Sequence, residues 1–455
     1  MDYTSILEDI KPTEVEDEKI QEISRNILDY LTFQCEKRNI DAEVFLVGSV
    51  AKGTYIKGKS DIDVFISFPL DTPVEELKET GLFLAYNCND YFNGKADEHY
   101  ASHPYVTSKI NNFEVDFVPC YRIHDGSELK SAVDRTILHT NYIKRYLKEE
   151  QKNEVLLLKR FMDMTKTYGS EFKVGGFAGY LCELLIIKYK TFENTLKEAS
   201  NWKYGEVIDL EEYETSKMFK DPLIVIDPTD KNRNVAAALR LDKMGEFIQS
   251  ARNYLNSKNK EKYFYPVEKE ITKDNIIDKF KKRESKIIAI KFTIPQIPID
   301  TLHPQLMKTV DAIAKRLEEN KFNVFNHGYW TNEDNIAIFI FEMINSKLNS
   351  VDITKGPKIF FKKACNQFIE AHGIENCYVD GDFLVEKIPR KFNTATSFIE
   401  NLFTEKNIKK IKVGKNLKDC ILNSYSFIEL ADLDAPDDFW CFCDDLINPG
   451  QYIRR

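Results

Sequence analysis

A chain of 455 residues, 43% hydrophobic and 12% aromatic, holds enough apolar side chain to bury substantial cores, which excludes global disorder; at roughly 150 residues per domain it should form about three domains. Its 64 basic and 73 acidic residues leave a net charge of −9, so the overall field repels nucleic acid and any such partner must be held by local basic patches. Nine cysteines without a C-x-x-C pair read as reduced thiols of a cytoplasmic protein, and neither the acidic N-terminus nor any apolar run has the form of a signal peptide or membrane span.

Residues 18–35 carry Ile20, Ile23, Ile27 and Leu31 at spacings of three and four, which predicts an amphipathic helix packed on the back of a sheet. Residues 44–47 form a short run of strand formers broken by Gly48-Ser49, and a second run covers 61–68. Alternation along that strand puts Asp61 and Asp63 on one face, a few ångströms apart. Two carboxylates that close repel unless a cation lies between them, so the pair points to a hard metal such as Mg²⁺. Ser49 and the glycine before it can offer a hydroxyl and backbone N–H groups to a phosphate.

Pro69 and Pro73 close the strand, and 74–87 reads as a helix with Leu77, Leu82 and Leu84 inside. His103-Pro104-Tyr105 opens a hairpin, 105–110 and 113–118, turned by Asn111-Asn112; it brings a third acid, Asp116, beside the first two. Three acids around a metal pair, next to a Gly-Ser turn, suit nucleotidyl transfer, in which metals lower the pKa of an attacking hydroxyl and neutralise the α-phosphate and pyrophosphate.

Residues 130–146 read as a helix with Arg135 and His139 on one face, and 154–162 as another carrying Lys159. The glycines at 175, 176 and 179 precede a very apolar helix and read as close packing rather than a phosphate loop. Residues 223–226 form a buried strand turned by Asp227-Pro228, after which Asn232 or Asn234 caps a helix running to about Leu255, with Arg233 at its start. A polar break at 256–262 ends that region. Beyond it, strands at 287–294 and 335–344 around a helix at 304–320 give an α+β sandwich. Basic clusters concentrate here, the last of them, 406–418, with six lysines and no acid. The acidic end, 431–445, suggests no function.

GSVAKGT, SDIDVF, HPYV, EVDFVPCY, KSAVDRT, GGFAGYLCELLI and DPTDKNRNVAAAL, in that order, resemble the archaeal class I CCA-adding enzymes, tRNA nucleotidyltransferases of the polymerase-β-like superfamily. The resemblance is strong over about residues 20–255 and thins to Leu302-His303-Pro304-Gln305-Leu306 and Gly414-Lys415-Asn416 beyond. It implies an α+β fold: a polymerase-β-like nucleotidyltransferase head with a mixed sheet at 1–145, a helical central (neck) domain at 146–262 that completes the nucleotide pocket, and a tRNA-binding α/β body and tail at 263–455. The implied activity is template-independent addition of C, C and A to the tRNA 3′ end from CTP and ATP.

The resemblance implies that Asp61, Asp63 and Asp116 hold two Mg²⁺ ions, with Asp116 helping to activate the RNA 3′-OH. Ser49 and Lys52 would hold the triphosphate, His139, Lys159 and Tyr168 the sugar and phosphates, and Arg233 would help read the base. Lys52 stands where the family carries Arg, keeping the charge but losing the bidentate fork. Ser102 precedes His103 where the family carries an acid. Oligomeric state is left open, a homodimer being compatible. A poly(A) polymerase-like enzyme differs by its indifference to CTP, a small-molecule nucleotidyltransferase would not need the basic C-terminal region, and an inactive tRNA-binding scaffold would not need all three acids.

Overall fold

The computed structural model describes residues 1–59, 61–100, 104–267 and 269–455; Ser102 and His103 lie outside the described residues. Two compact units divide the chain: residues 1–268 with 450–455, and residues 269–449.

The first unit is built on a five-stranded mixed sheet of β1 (Glu43–Val47), β2 (Ile62–Phe68), β3 (Lys95–Tyr100), β4 (Pro104–Ile110) and β5 (Phe113–Tyr121), in the order β1-β2-β5-β4-β3. Strands β2 and β5 run parallel and the other pairs antiparallel. Ile62, Val64 and Ile66 of β2 pack with Ile20, Ile27, Leu31, Leu77 and Leu84 of the helices Glu14–Arg38 and Val74–Tyr91. Strand alternation therefore turns Asp63 to the opposite face, away from that core. The long helix starts with a capping box in which Thr13 and Glu16 satisfy each other's backbone N–H groups. At the β4–β5 turn, Asn111 and Asn112 both have positive φ, 49° and 69°, as the dipeptide predicts. Strand β3 was not expected: its sequence, KADEHY, is too charged to read as a strand, and charge is what protects a sheet edge from further pairing.

Three local readings are corrected. The helix expected from residue 130 begins at Arg135, because buried Asp134 accepts hydrogen bonds from the backbone N–H groups of Tyr121 and Ser131 and holds a 3₁₀ turn there. Arg233 is not at a helix start. It lies on β8 of a small sheet formed by β6 (Glu206–Ile208), β7 (Leu223–Asp227) and β8 (Asp230–Asn234), and the helix begins only at Leu241. Asn234 caps no helix; its Oδ1 accepts from the N–H groups of Val225 and Ala236 and locks that hairpin. At Gly176 the close approach is to a loop rather than a helix: a Cβ would fall onto the Thr167 carbonyl.

In the second unit, β9 (Lys286–Thr293), β10 (Val324–Thr331), β11 (Ile336–Met343), β12 (Val351–Lys358), β13 (Cys377–Asp380), β14 (Phe383–Pro389) and β15 (Ser426–Ile428) form two antiparallel sheets, β10-β11-β9-β15 and β12-β14-β13. The helix Ile299–Glu319 packs Leu306, Val310 and Ile313 on one face of the larger sheet. It starts earlier than Pro304 suggests, since that proline sits inside it with Leu302 already buried. The helix Asp437–Ile447 covers Ala289, Ile338 and Ile340 on the other face with Phe439, Trp440 and Cys443.

The acidic end thus has a structural part. Asp444, 1% exposed, accepts from Lys279 at 2.7 Å and Lys269 at 3.0 Å, which depresses its carboxyl against the opposing effect of burial. In the run 406–418, Lys406, Lys409, Lys410, Lys412 and Lys415 are exposed, and among the described residues none of its lysines is ion-paired with an acid. We expect Asp444→Ala to destabilise the C-terminal unit by about 1–2 kcal/mol, a modest cost because both lysines can turn to water. Thermal unfolding followed by Trp fluorescence measures this; an unchanged midpoint would contradict it.

Candidate active site

The turn after β1 sets the geometry. Val47 lies opposite Asp63 across the β1–β2 ladder, and Asp63 lies beside Asp116 across the parallel β2–β5 ladder, so both acids share one face with Asp61 at the strand's start. Gly48, at φ +70°, passes so close to this face that a Cβ would land on Asp63 Oδ2. The following helical turn, Gly48–Lys52, carries Ser49 half-buried and Lys52 buried. Thr107 Oγ1 donates to Asp116 Oδ1 at 2.5 Å and fixes that carboxylate on the sheet.

The acids are short of compensating charge. Burial, then the carboxylates of Asp116 and Asp61, push Asp63 up to about 7, with Lys52 only partly opposing. Burial also raises Asp116; the Thr107 hydrogen bond opposes this and the charge of Asp61 reinforces it. An all-oxygen donor set short of positive charge is suited to a hard divalent cation. Among the described residues no three Asp, Glu, His or Cys side chains are gathered to clamp an ion by themselves.

Facing the turn is the helix Gly179–Tyr189, whose residues Tyr180 and Glu183 share one side. Glu183 Oε2 accepts from Lys52 Nζ at 2.6 Å and Oε1 from Thr54 Oγ1 at 2.6 Å. Lys159 donates to the Thr54 carbonyl at 2.8 Å, with its Nζ 3.8 Å from Glu183 Oε1. Burial lowers Lys159; burial would raise Glu183, but the two lysines and the hydroxyl hydrogen bond outweigh it and hold Glu183 low. A Cβ at Gly179 would meet Tyr168 Oη at 3.2 Å and Lys159 Nζ at 3.5 Å, so these two side chains lie side by side.

A second buried carboxylate, Asp227, organises the remaining predicted residues. Its Oδ2 accepts from His139 Nε2–H and from Arg233 Nη1–H, each at 2.8 Å, and its Oδ1 from Thr229 N–H at 2.9 Å. His139 stacks on Tyr180 with ring centroids 4.0 Å apart. Burial lowers His139 against the opposing pull of Asp227, so the imidazole is held towards its neutral form.

All nine predicted residues therefore lie in the first unit, with Asp61, Asp63 and Asp116 on the sheet, Lys52 and Lys159 on Glu183, and His139 and Arg233 on Asp227. Sequence reasoning missed Thr54, Tyr180, Glu183 and Asp227. Glu183 had a signal, the one acid in GYLCELLIIKY; Asp227 was read only as a turn residue before Pro228.

The raised carboxyl has a measurable consequence. The folded chain holds the Asp63 proton more tightly than the unfolded chain, so stability falls as pH rises from about 4 to about 7, and the whole penalty stands above that. In chelator at pH 8, Asp63→Asn should be more stable than the parent by about 1–3 kcal/mol, with no such gain at pH 4. Equal melting temperatures at pH 8 would contradict this.

Three family models match successive segments: a nucleotidyltransferase domain at residues 28–139, the second domain of tRNA nucleotidyltransferase at 153–265, and the C-terminal domain of CCA-adding enzymes at 283–429. The CCA-adding enzyme of Methanothermobacter thermautotrophicus is 44% identical over 456 residues, covering 100% of this chain and 99% of that protein. That of Methanosarcina barkeri is 38% identical, covering 94% of this chain and 93% of its own length. That of Methanocaldococcus jannaschii is 35% identical over 81% of this chain and 83% of its own. The acids of the sheet fall in the first matched segment and both buried carboxylates of the facing wall in the second; with relatives of this identity along its whole length, the chain belongs to the family of CCA-adding enzymes.

Proposed function

We propose that this chain adds C, C and A to the 3′ end of tRNA from CTP and ATP without a nucleic-acid template, releasing pyrophosphate at each step. The observation that supports this reading most is the pairing of opposites at the Gly48 turn: undercompensated acids on the sheet face, and the buried cations Lys52, on the turn, and Lys159, behind it.

Enzymes with a nucleotidyltransferase domain use a divalent metal; we assign two Mg²⁺ ions to this site, shared among Asp61, Asp63 and Asp116 and the phosphates of the nucleotide. Bound there, they neutralise charge on the α-phosphate and leaving group and make the 3′-hydroxyl more acidic. Asp116, fixed by Thr107, directs a carboxylate oxygen at the 3′-hydroxyl and orients it for attack. Ser49 and the Lys52 ammonium hold the triphosphate, and Lys159 adds positive charge from behind Thr54. His139, Lys159 and Tyr168 position the sugar and phosphates; the imidazole, held towards its neutral form and flat against Tyr180, binds by hydrogen bonding and packing rather than by charge.

Arg233 is the donor we assign to the base edge. Its guanidinium keeps one nitrogen on Asp227 and has further N–H groups for O2 and N3 of cytosine or N1 of adenine, with the RNA end deciding which base fits. We assign residues 1–145 to the catalytic head, 146–262 to the neck that completes the pocket, and 263–455 to tRNA binding. The unpaired lysines of 406–418 supply the phosphate track in that last region.

Asp63→Ala should abolish addition of C and of A alike, because one set of acids serves both steps. Incorporation on tRNA ending before C, C or A, with CTP and ATP supplied separately, reads this; loss of one activity alone would rule out a shared site. Neutralising four lysines of 406–418 should weaken tRNA binding, reduce the slope of log K against log salt by about 3–4, and spare turnover at saturating tRNA. Collapsed turnover with unchanged binding would show that these lysines are no phosphate track.

A further inference from the structure

Glu183 takes no part in the chemistry above, yet it is the one acid in an apolar helix and is fully buried. A carboxylate taken out of water costs several kcal/mol unless cations and hydrogen bonds replace the lost solvation. Here Lys52 Nζ and Thr54 Oγ1, both from the turn after β1, replace it at 2.6 Å each. Lys159 stands 3.8 Å away and is tied to the same turn through the Thr54 carbonyl. The other titratable groups around Lys159 are Cys182 and Lys52, with Tyr168 beside it. Two ammonium groups against one carboxylate leave a net positive charge whose position Glu183 fixes. Arg at position 52 would bring a rigid fork of donors; a lysine is a flexible point charge, so its direction depends on the acceptor that holds it.

We propose that Glu183 is a positioning residue for the triphosphate: from the wall behind the turn it holds the ammonium groups of Lys52 and Lys159 in place, without touching the nucleotide itself. The proposal rests on the assignment of Lys52 to the triphosphate. It makes Glu183 act on nucleotide binding through Lys52, whereas a purely structural role would cost stability and amount of active enzyme but leave KM alone.

The test is steady-state incorporation of C and of A, with tRNA saturating, by the full chain and by Glu183→Gln, Glu183→Asp, Lys52→Ala and the double variant Glu183→Gln/Lys52→Ala. Glu183→Gln should raise KM for CTP and ATP about tenfold or more while kcat changes by less than about threefold. Glu183→Asp keeps the charge and should recover part of that loss. The double variant should cost far less than the product of the single effects, because both changes remove one interaction. Unchanged KM in folded Glu183→Gln, or fully multiplicative effects in the double variant, overturns the proposal; so does failure of both Glu183 variants to fold, which makes the residue structural. If Lys52→Ala leaves KM unchanged, the assignment of Lys52 is wrong and the proposal falls with it; if Lys52→Ala raises KM and Glu183→Gln does not, only the role of Glu183 is lost.

Discussion

Repulsion among Asp61, Asp63 and Asp116 is the constraint on which the first unit depends. Strand alternation and register place these carboxylates on one face, Gly48 leaves open the space that the Asp63 carboxylate occupies, and helices pack on the opposite face of the sheet. The site therefore stores unfavourable negative charge in the folded protein, which a bound cation would relieve. The facing wall does the converse. Glu183 and Asp227 are buried carboxylates whose cost is offset by Lys52, Lys159, His139 and Arg233, so the groups we assign to the nucleotide are held by acids that we do not. Charge on either side of the turn is thus prearranged before any ligand arrives, which is how preorganised electrostatics stabilises a transition state.

What was legible in the sequence follows from how local each signal is. Asp61, Asp63 and Asp116 could be placed because a period of two and an Asn-Asn turn act over a few residues, and the structure has both features. The amphipathic helix at 18–35 was legible for the same reason, and the capping box extends it to Glu14. Arg233 was given the wrong local structure because β8 is a short polar strand, DKNRN, held by the side chain of Asn234 and by pairing with β7, neither of which has a periodic signature. Glu183 and Asp227 were missed because their partners are remote in sequence: Lys52 reaches Glu183, and His139 reaches Asp227, only once the chain has folded.

The C-terminal unit shows the same division. Its continuous apolar strands and long helix were readable, while the small sheet β12-β14-β13 was not, since its outer strands are largely exposed and mixed in composition. Charge clusters that look alike in sequence separate in the structure. Lys279 is engaged with Asp444, Lys286 with Glu429 and Lys358 with Asp382, whereas five of the six lysines of 406–418 are exposed and, among the described residues, none is ion-paired with an acid. An acidic protein can present a surface to a polyanion in this way, through a local run of exposed lysines that carry no acid partner.

We assign to Asp61, Asp63 and Asp116 a divalent metal shared with the nucleotide. Anomalous diffraction from crystals grown with Mn²⁺ and a non-hydrolysable CTP analogue tests it most directly. Mn²⁺ peaks are expected about 2.0–2.3 Å from carboxylate oxygens of Asp61, Asp63 and Asp116, with phosphate oxygens completing the coordination. Manganese bound to the triphosphate alone, with those carboxylates outside its coordination sphere, would contradict it.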